Sequence, residues 1–145
     1  MSTFADLGNA VVTLLNGASG GTFTRSFTAA RTWLVDFDVQ SLSSLRVSVL
    51  ASQLQSAPFD RGRDALCHYT VEVLVQQKTD GSTAQIDAIV AVAEEIFDFL
   101  REQDVPAVDG ATTLGWQHIP VLNNEALLTK NVATSVVIMT YGLQR

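Results

Sequence analysis

Cys67 and His68 adjoin in the chain, and a thiol beside an imidazole is the starting material of nucleophilic catalysis. That chemistry needs the two side chains within hydrogen-bonding reach. Residues 66–78 alternate as a strand does, and strand neighbours point to opposite faces, so the pair cannot act together. Cys67 shares the phase of Tyr69, Val71 and Val73 and reads as a small core residue without the cationic neighbour that favours a thiolate. His68 and Glu72 share the other face, but four residues of strand separate them by roughly 13 Å, too far to ligate one metal ion. His118 would approach His68 only if their strands paired, and a zinc site would still need a third ligand that the chain does not signal.

The carboxylates give no stronger lead. Asp36 and Asp38 alternate in a loop, and Glu94, Glu95 and Asp98 fall on a helix; acid–base work would need an apolar wall to raise one of their pKa values. A solvated face accounts for them better. The run Gly17-Ala-Ser-Gly-Gly-Thr22 is glycine-rich but lacks the lysine of a phosphate loop and follows a helix instead of a strand. Ser19 lies in no nucleophile elbow. Arg61 and Arg63 stand in a loop flanked by Asp60 and Asp64, a self-compensating cluster suited to pairing locally or across an interface. Trp116 reads as core, or as an interface anchor. No constellation calls for catalysis, a cofactor or a metal.

The elements that hold these residues read as follows. Phe4, Leu7, Val11 and Leu14 or Leu15 recur at helical spacing, with Thr3 as N-cap and Asn16-Gly17 as the stop. Phe23 to Leu34 alternates and predicts a strand, and Leu45 to Ala51 predicts a second. Ser52 to Asp64 reads as a loop. Leu66 to Lys78 is a half-buried strand ended by Asp80-Gly81. Ser82-Thr-Ala-Gln85 is a capping box for a helix whose apolar stripe is Ile86, Ile89, Val90, Ala93, Ile96, Phe97 and Leu100, and Asp104-Val-Pro106 ends it. Strands at 114–122 and 132–143 finish the chain. Strands in runs with few helices predict an α+β domain spanning 1–145: a mainly antiparallel sheet of four to five strands with two helices packed on one face. The last strand is apolar on both sides, Val136 and Ile138 on one and Val137 and Met139 on the other. Either it is central, or its second face meets a neighbouring subunit.

Composition narrows the function classes. Of 145 residues, 47% are hydrophobic and only 17% charged, with 9 basic against 15 acidic side chains and a formal charge of −6. Ordinary domains carry about 25% charged residues, so this surface is short of charge, as surfaces that meet other proteins are. Without a basic run, tight binding of nucleic acid or of an anionic membrane is not expected. The single cysteine, the lack of a basic-then-apolar leader at the start, and the lack of an apolar run of about 18 residues predict a protein of a reducing cytoplasm.

The succession of the Arg61-Gly-Arg63 loop, Tyr69 to Lys78, Asp87 to Leu100 and Ala133 to Tyr141, with Phe27 to Trp33 and Arg46 to Val49 before it, resembles the small tail-terminator and neck (head–tail joining) proteins of tailed bacteriophages. The resemblance covers nearly the whole chain and rests on element order and texture. It implies a non-enzymatic virion protein at the tail–neck junction, assembled in the host cytoplasm. Its copies would form a ring, typically hexameric, that caps the tail tube and meets neck or connector proteins. DNA would pass through the bore, where acidic walls avoid sticking to phosphate. Another neck or tail-tube component of the same fold would share these features, and a small-ligand binder or enzyme is the alternative outside that class. Interface candidates are Arg61 and Arg63, the helix carboxylates Glu94 and Asp98, and Val137 and Met139 of the last strand.

Overall fold

The computed structural model describes residues 3–18, 20–33, 44–58, 65–102, 112–121 and 131–144. Their order is α1 (Thr3–Asn16), β1 (Ala29–Arg31), β2 (Arg46–Pro58), β3 (Ala65–Lys78), α2 (Thr83–Arg101), β4 (Thr112–Ile119) and β5 (Val132–Gln144). The five strands form one sheet in the order β1-β2-β3-β5-β4. Only β1 and β2 run parallel; every other pair is antiparallel. The chain is thus α+β, as its periodicities predict.

Long central ladders hold the sheet together. β3 pairs with β5 without a break from Leu66↔Gln144 to Lys78↔Val132, and β2 covers the other side of β3. Strand alternation sends Tyr69, Val71, Val73 and Val75 of β3, with Val137, Met139 and Tyr141 of β5, into one buried cluster. The same cluster takes Leu7, Val11 and Leu15 from α1, and Ile89, Val92, Ala93, Ile96 and Leu100 from α2. Each fully buried Val, Leu, Ile or Met among them contributes about 1.5–3 kcal/mol. Cys67 belongs to this cluster, as its phase predicts. On the opposite phase, Leu74 and Val136 sit in register and are also buried. Beside them the Gln76 amide donates to Thr134 Oγ1 at 3.3 Å, which keeps a buried polar pair satisfied. β5 is a central strand by its place between β3 and β4; on its second face Val136 is buried and Ile138 half-buried.

Several boundaries differ from the sequence expectation. The strand predicted over 23–34 shrinks to Ala29–Arg31, because Phe23 and Phe27 stack on each other with centroids 5.0 Å apart, which an extended chain forbids. Phe23 also meets Phe99 of α2 edge-on at 5.4 Å. Aromatic packing thus overrides alternation here. The second strand does not stop at Ala51. A bulge at Ser52 re-phases it, and it runs on to Pro58 through what reads as a loop. The helix α2 ends at Arg101, capped by Glu102; Asp104 to Pro106 lie outside the described residues. Its start is half of a capping box. Ser82 accepts from the Gln85 N–H at 3.4 Å, but the Gln85 side chain accepts from the Asp80 N–H at 2.8 Å instead of reaching back to Ser82. Val92, not Val90, lies in its buried stripe. Thr3, expected as the N-cap, is already helical.

Candidate functional site

The residues with chemical potential do not converge. Cys67 faces the core and His68 the opposite side of β3. His68 is in register with Gly142 of β5 and His118 of β4 with Val137; these positions lie on opposite faces, with β5 between the two strands. His118 Nε2 lies 2.8 Å from Ser135 Oγ. Burial lowers its pKa, with the nearby Glu94 carboxylate opposing. Glu72 is held above the ordinary carboxylate range by burial, against a hydrogen bond from Ser52. Burial likewise raises the Tyr141 phenol, whose hydroxyl donates to Met139 Sδ at 3.4 Å. On α2, Glu95 accepts hydrogen bonds from the backbone and hydroxyl of Thr24, and Asp98 forms an exposed pair with Arg101 at 3.5 Å. Among the described residues, no three His, Cys, Asp or Glu side chains are grouped to hold a metal ion.

The expected interface residues separate into three groups. Arg61 and Arg63, with Asp36, Asp38 and Ser19, lie outside the described residues. Glu94 and Asp98 are exposed on α2. Val137 and Met139 are completely buried in the chain's own core, so they belong to the fold of a single copy.

A different surface emerges at the ends of the sheet. Among the described residues, the exposed large hydrophobic side chains are Trp33 (55%), Leu54 (41%), Leu114 (47%) and Trp116 (39%). Trp33 and Leu54 sit at the β1–β2 end, Leu114 and Trp116 on β4 at the other. β1 has its edge closed by α1: Asn16 both donates to the Ala29 carbonyl at 3.0 Å and accepts from its N–H at 2.8 Å, as a neighbouring strand would. Arg31 lies across α1 at Gly8, where an added Cβ would stand 2.8 Å from Arg31 Cδ, and donates to Asn9 at 3.1 Å.

β1 covers only Val47 to Val49 of β2, with one further bond from the Thr32 N–H to the Val49 carbonyl. Beyond that, among the described residues, no strand lies outside β2. A cavity of about 390 Å³ opens there against Trp33, Leu50, Ala51 and Ser52. At the far end β4 is likewise the last strand. Its bulge at Leu114 drops that side chain over Gly142, where a Cβ would be 2.8 Å away. Neither Leu50–Pro58 nor Thr112–Ile119 contains a charged residue, and charge is the usual guard of an edge strand. A polar hollow of about 210 Å³ lies beside α2, lined by Arg25, Gln77, Lys78 and Gln85, with Arg25 already donating to Gln77 at 2.8 Å.

Sequence reasoning reached Trp116 but missed Leu54, because the strand was expected to end three residues before it. The available signal was the lack of glycine or proline between Ala51 and Ala57. No known family model matches the chain, and no curated protein matches it significantly. Among the described residues no helix is long and apolar enough to cross a membrane.

Proposed function

We propose that this chain is a structural subunit of a tailed-phage particle: a tail terminator whose copies form a ring, hexameric as in the proteins it resembles, that caps the tail tube and meets neck or connector proteins. The observation that carries the subunit reading is the distribution of exposed large apolar side chains. Among the described residues they collect at the two ends of an open sheet, beside edge stretches (Leu50–Pro58 and β4) that carry no charged residue, where another chain can pair, and a lone chain has no use for them there. The element order and the acidic balance of −6 support the placement at a tail–neck junction around passing DNA. The work is binding and geometry, with no reaction and no cofactor.

Light scattering of the purified protein, alone and with purified tails, tests the reading, together with negative-stain images. The expected outcome is a ring, formed either in solution or at the head-proximal end of the tube. Incorporation along the tube's length would assign the chain to the tube itself. A protein that stays monomeric and ignores tails would sink the proposal.

A further inference from the structure

We infer that copies of this chain join head to tail through their sheet edges, β4 of one copy lying antiparallel against the open stretch of β2 in the next, with Trp116 packed on Leu54 of the neighbour. The inference rests on the subunit reading above and names the contact that reading leaves open.

Strand directions permit it. β2 and β5 both run antiparallel to β3, so they share a direction, and β4 runs against β5. A neighbour that continues the sheet in the same orientation therefore sets its β2 antiparallel to β4, extending the alternation already present. Lengths also agree. β4 spans Thr112–Ile119, eight residues, and β2 beyond the cover of β1 runs from Leu50 to Pro58. With the bulge residues Ser52 of β2 and Leu114 of β4 each left unpaired, overlap of residues 50–57 with the neighbour's 112–119 sets Ala57 at its Thr112 and Leu50 at its Ile119, and brings Leu54 opposite Trp116.

That register also satisfies the faces. Leu54 is in register with Tyr69, and Trp116 with Met139; Tyr69 and Met139 both point into the core cluster. The two exposed side chains therefore meet on the same side of the joined sheet. A slip by one residue would put them on opposite sides. Directly opposed residues have Cβ atoms about 4.5–5.5 Å apart, and aromatic–aliphatic pairs at such positions stabilise the ladder. The neighbour's Ile119 arrives beside the cavity at Trp33, Leu50, Ala51 and Ser52. Pairing of β4 with β4 across a two-fold axis would leave the β2 edge open on both partners. Head-to-tail pairing closes every edge once the ring closes.

Cysteine cross-linking tests this in the full chain. Leu54→Cys and Trp116→Cys are made separately and together in a Cys67→Ala background, with circular dichroism confirming the fold of each. Under mild oxidation at a concentration where association is measured by light scattering, with tails added if the free protein is monomeric, an equimolar mixture of the two single variants is expected to give covalent dimers. Each single variant alone should give none, and the double variant a ladder of multimers. Dimers from either single variant alone would indicate two-fold pairing and overturn the head-to-tail geometry. Multimers by scattering without cross-links would overturn the edge contact and leave the subunit reading standing. Monomers throughout, with and without tails, would overturn both.

Discussion

The middle of the sheet and its two ends obey different rules. In β3 and β5 almost every side chain is spent on the fold: Val71, Val73, Val136, Val137 and Met139 have no exposed surface at all, and their backbones are bonded on both sides. At the ends, Leu54, Leu114 and Trp116 keep between 39% and 47% of their surface, beside backbone that, among the described residues, has a strand partner on one side only. The centre is apolar because it is enclosed by its own chain. The ends are apolar with nothing from the described chain to enclose them. Hydrophobicity therefore serves stability in the middle, while the proposed subunit role assigns it to partner binding at the ends, and substitutions should separate the two.

Met139→Ala should have the largest effect, a loss of about 3 kcal/mol in urea unfolding of the free chain, through lost transfer energy and the cavity left behind. Loss of association with unchanged stability would instead return Met139 to an interface. Cys67→Ser should cost on the order of 1 kcal/mol for placing a hydroxyl among apolar atoms, while the native thiol, 7% exposed, should react with a water-soluble alkylating reagent only after unfolding. Fast labelling of the folded protein, with a serine variant that folds but does not assemble, would reopen the question of chemistry at this strand.

Glu72 gives a subtler effect at the boundary between the regions. Burial raises its folded pKa, partly countered by Ser52, so the folded chain holds this proton more tightly than the unfolded chain does. Its contribution to stability therefore declines as pH rises from the unfolded value through the raised folded one, and the ionised form works against folding at neutral pH. Glu72→Gln should flatten the melting temperature's dependence on pH across that range without lowering it at neutrality. A variant destabilised at neutral pH with an unchanged slope would contradict this. The smallest stability effect belongs to the edges: Leu54→Lys or Trp116→Lys should shift unfolding by no more than about 0.5 kcal/mol while abolishing association, since a charged residue guards an edge against pairing. A large stability loss at either position would show that the ends, too, serve the fold of a single copy.

Much of this was legible in local pattern. The period of two in Tyr69 to Val75 and the period of 3.6 in Ile89 to Leu100 follow from backbone geometry over a few residues, so the sequence alone determined the central strands, both helices, the α+β class and the burial of Cys67. It also separated Cys67 from His68, because neighbours on a strand cannot face the same way. What it could not determine was non-local. Phe23 and Phe27 alternate correctly for a strand yet pack on each other, and Phe23 on Phe99 of α2, since aromatic contacts made across the fold outweigh a weak local preference. At Ser52 one extra residue resets the alternation, so Leu50 to Leu54 loses its strand period while the strand itself continues. Val137 and Leu54 are equally apolar in sequence; which of them is covered depends on which strands lie beside β5 and β2. Strand order is settled by pairing between segments far apart in the chain, so only the tertiary structure decides where the sheet ends and which apolar side chains are left facing outward.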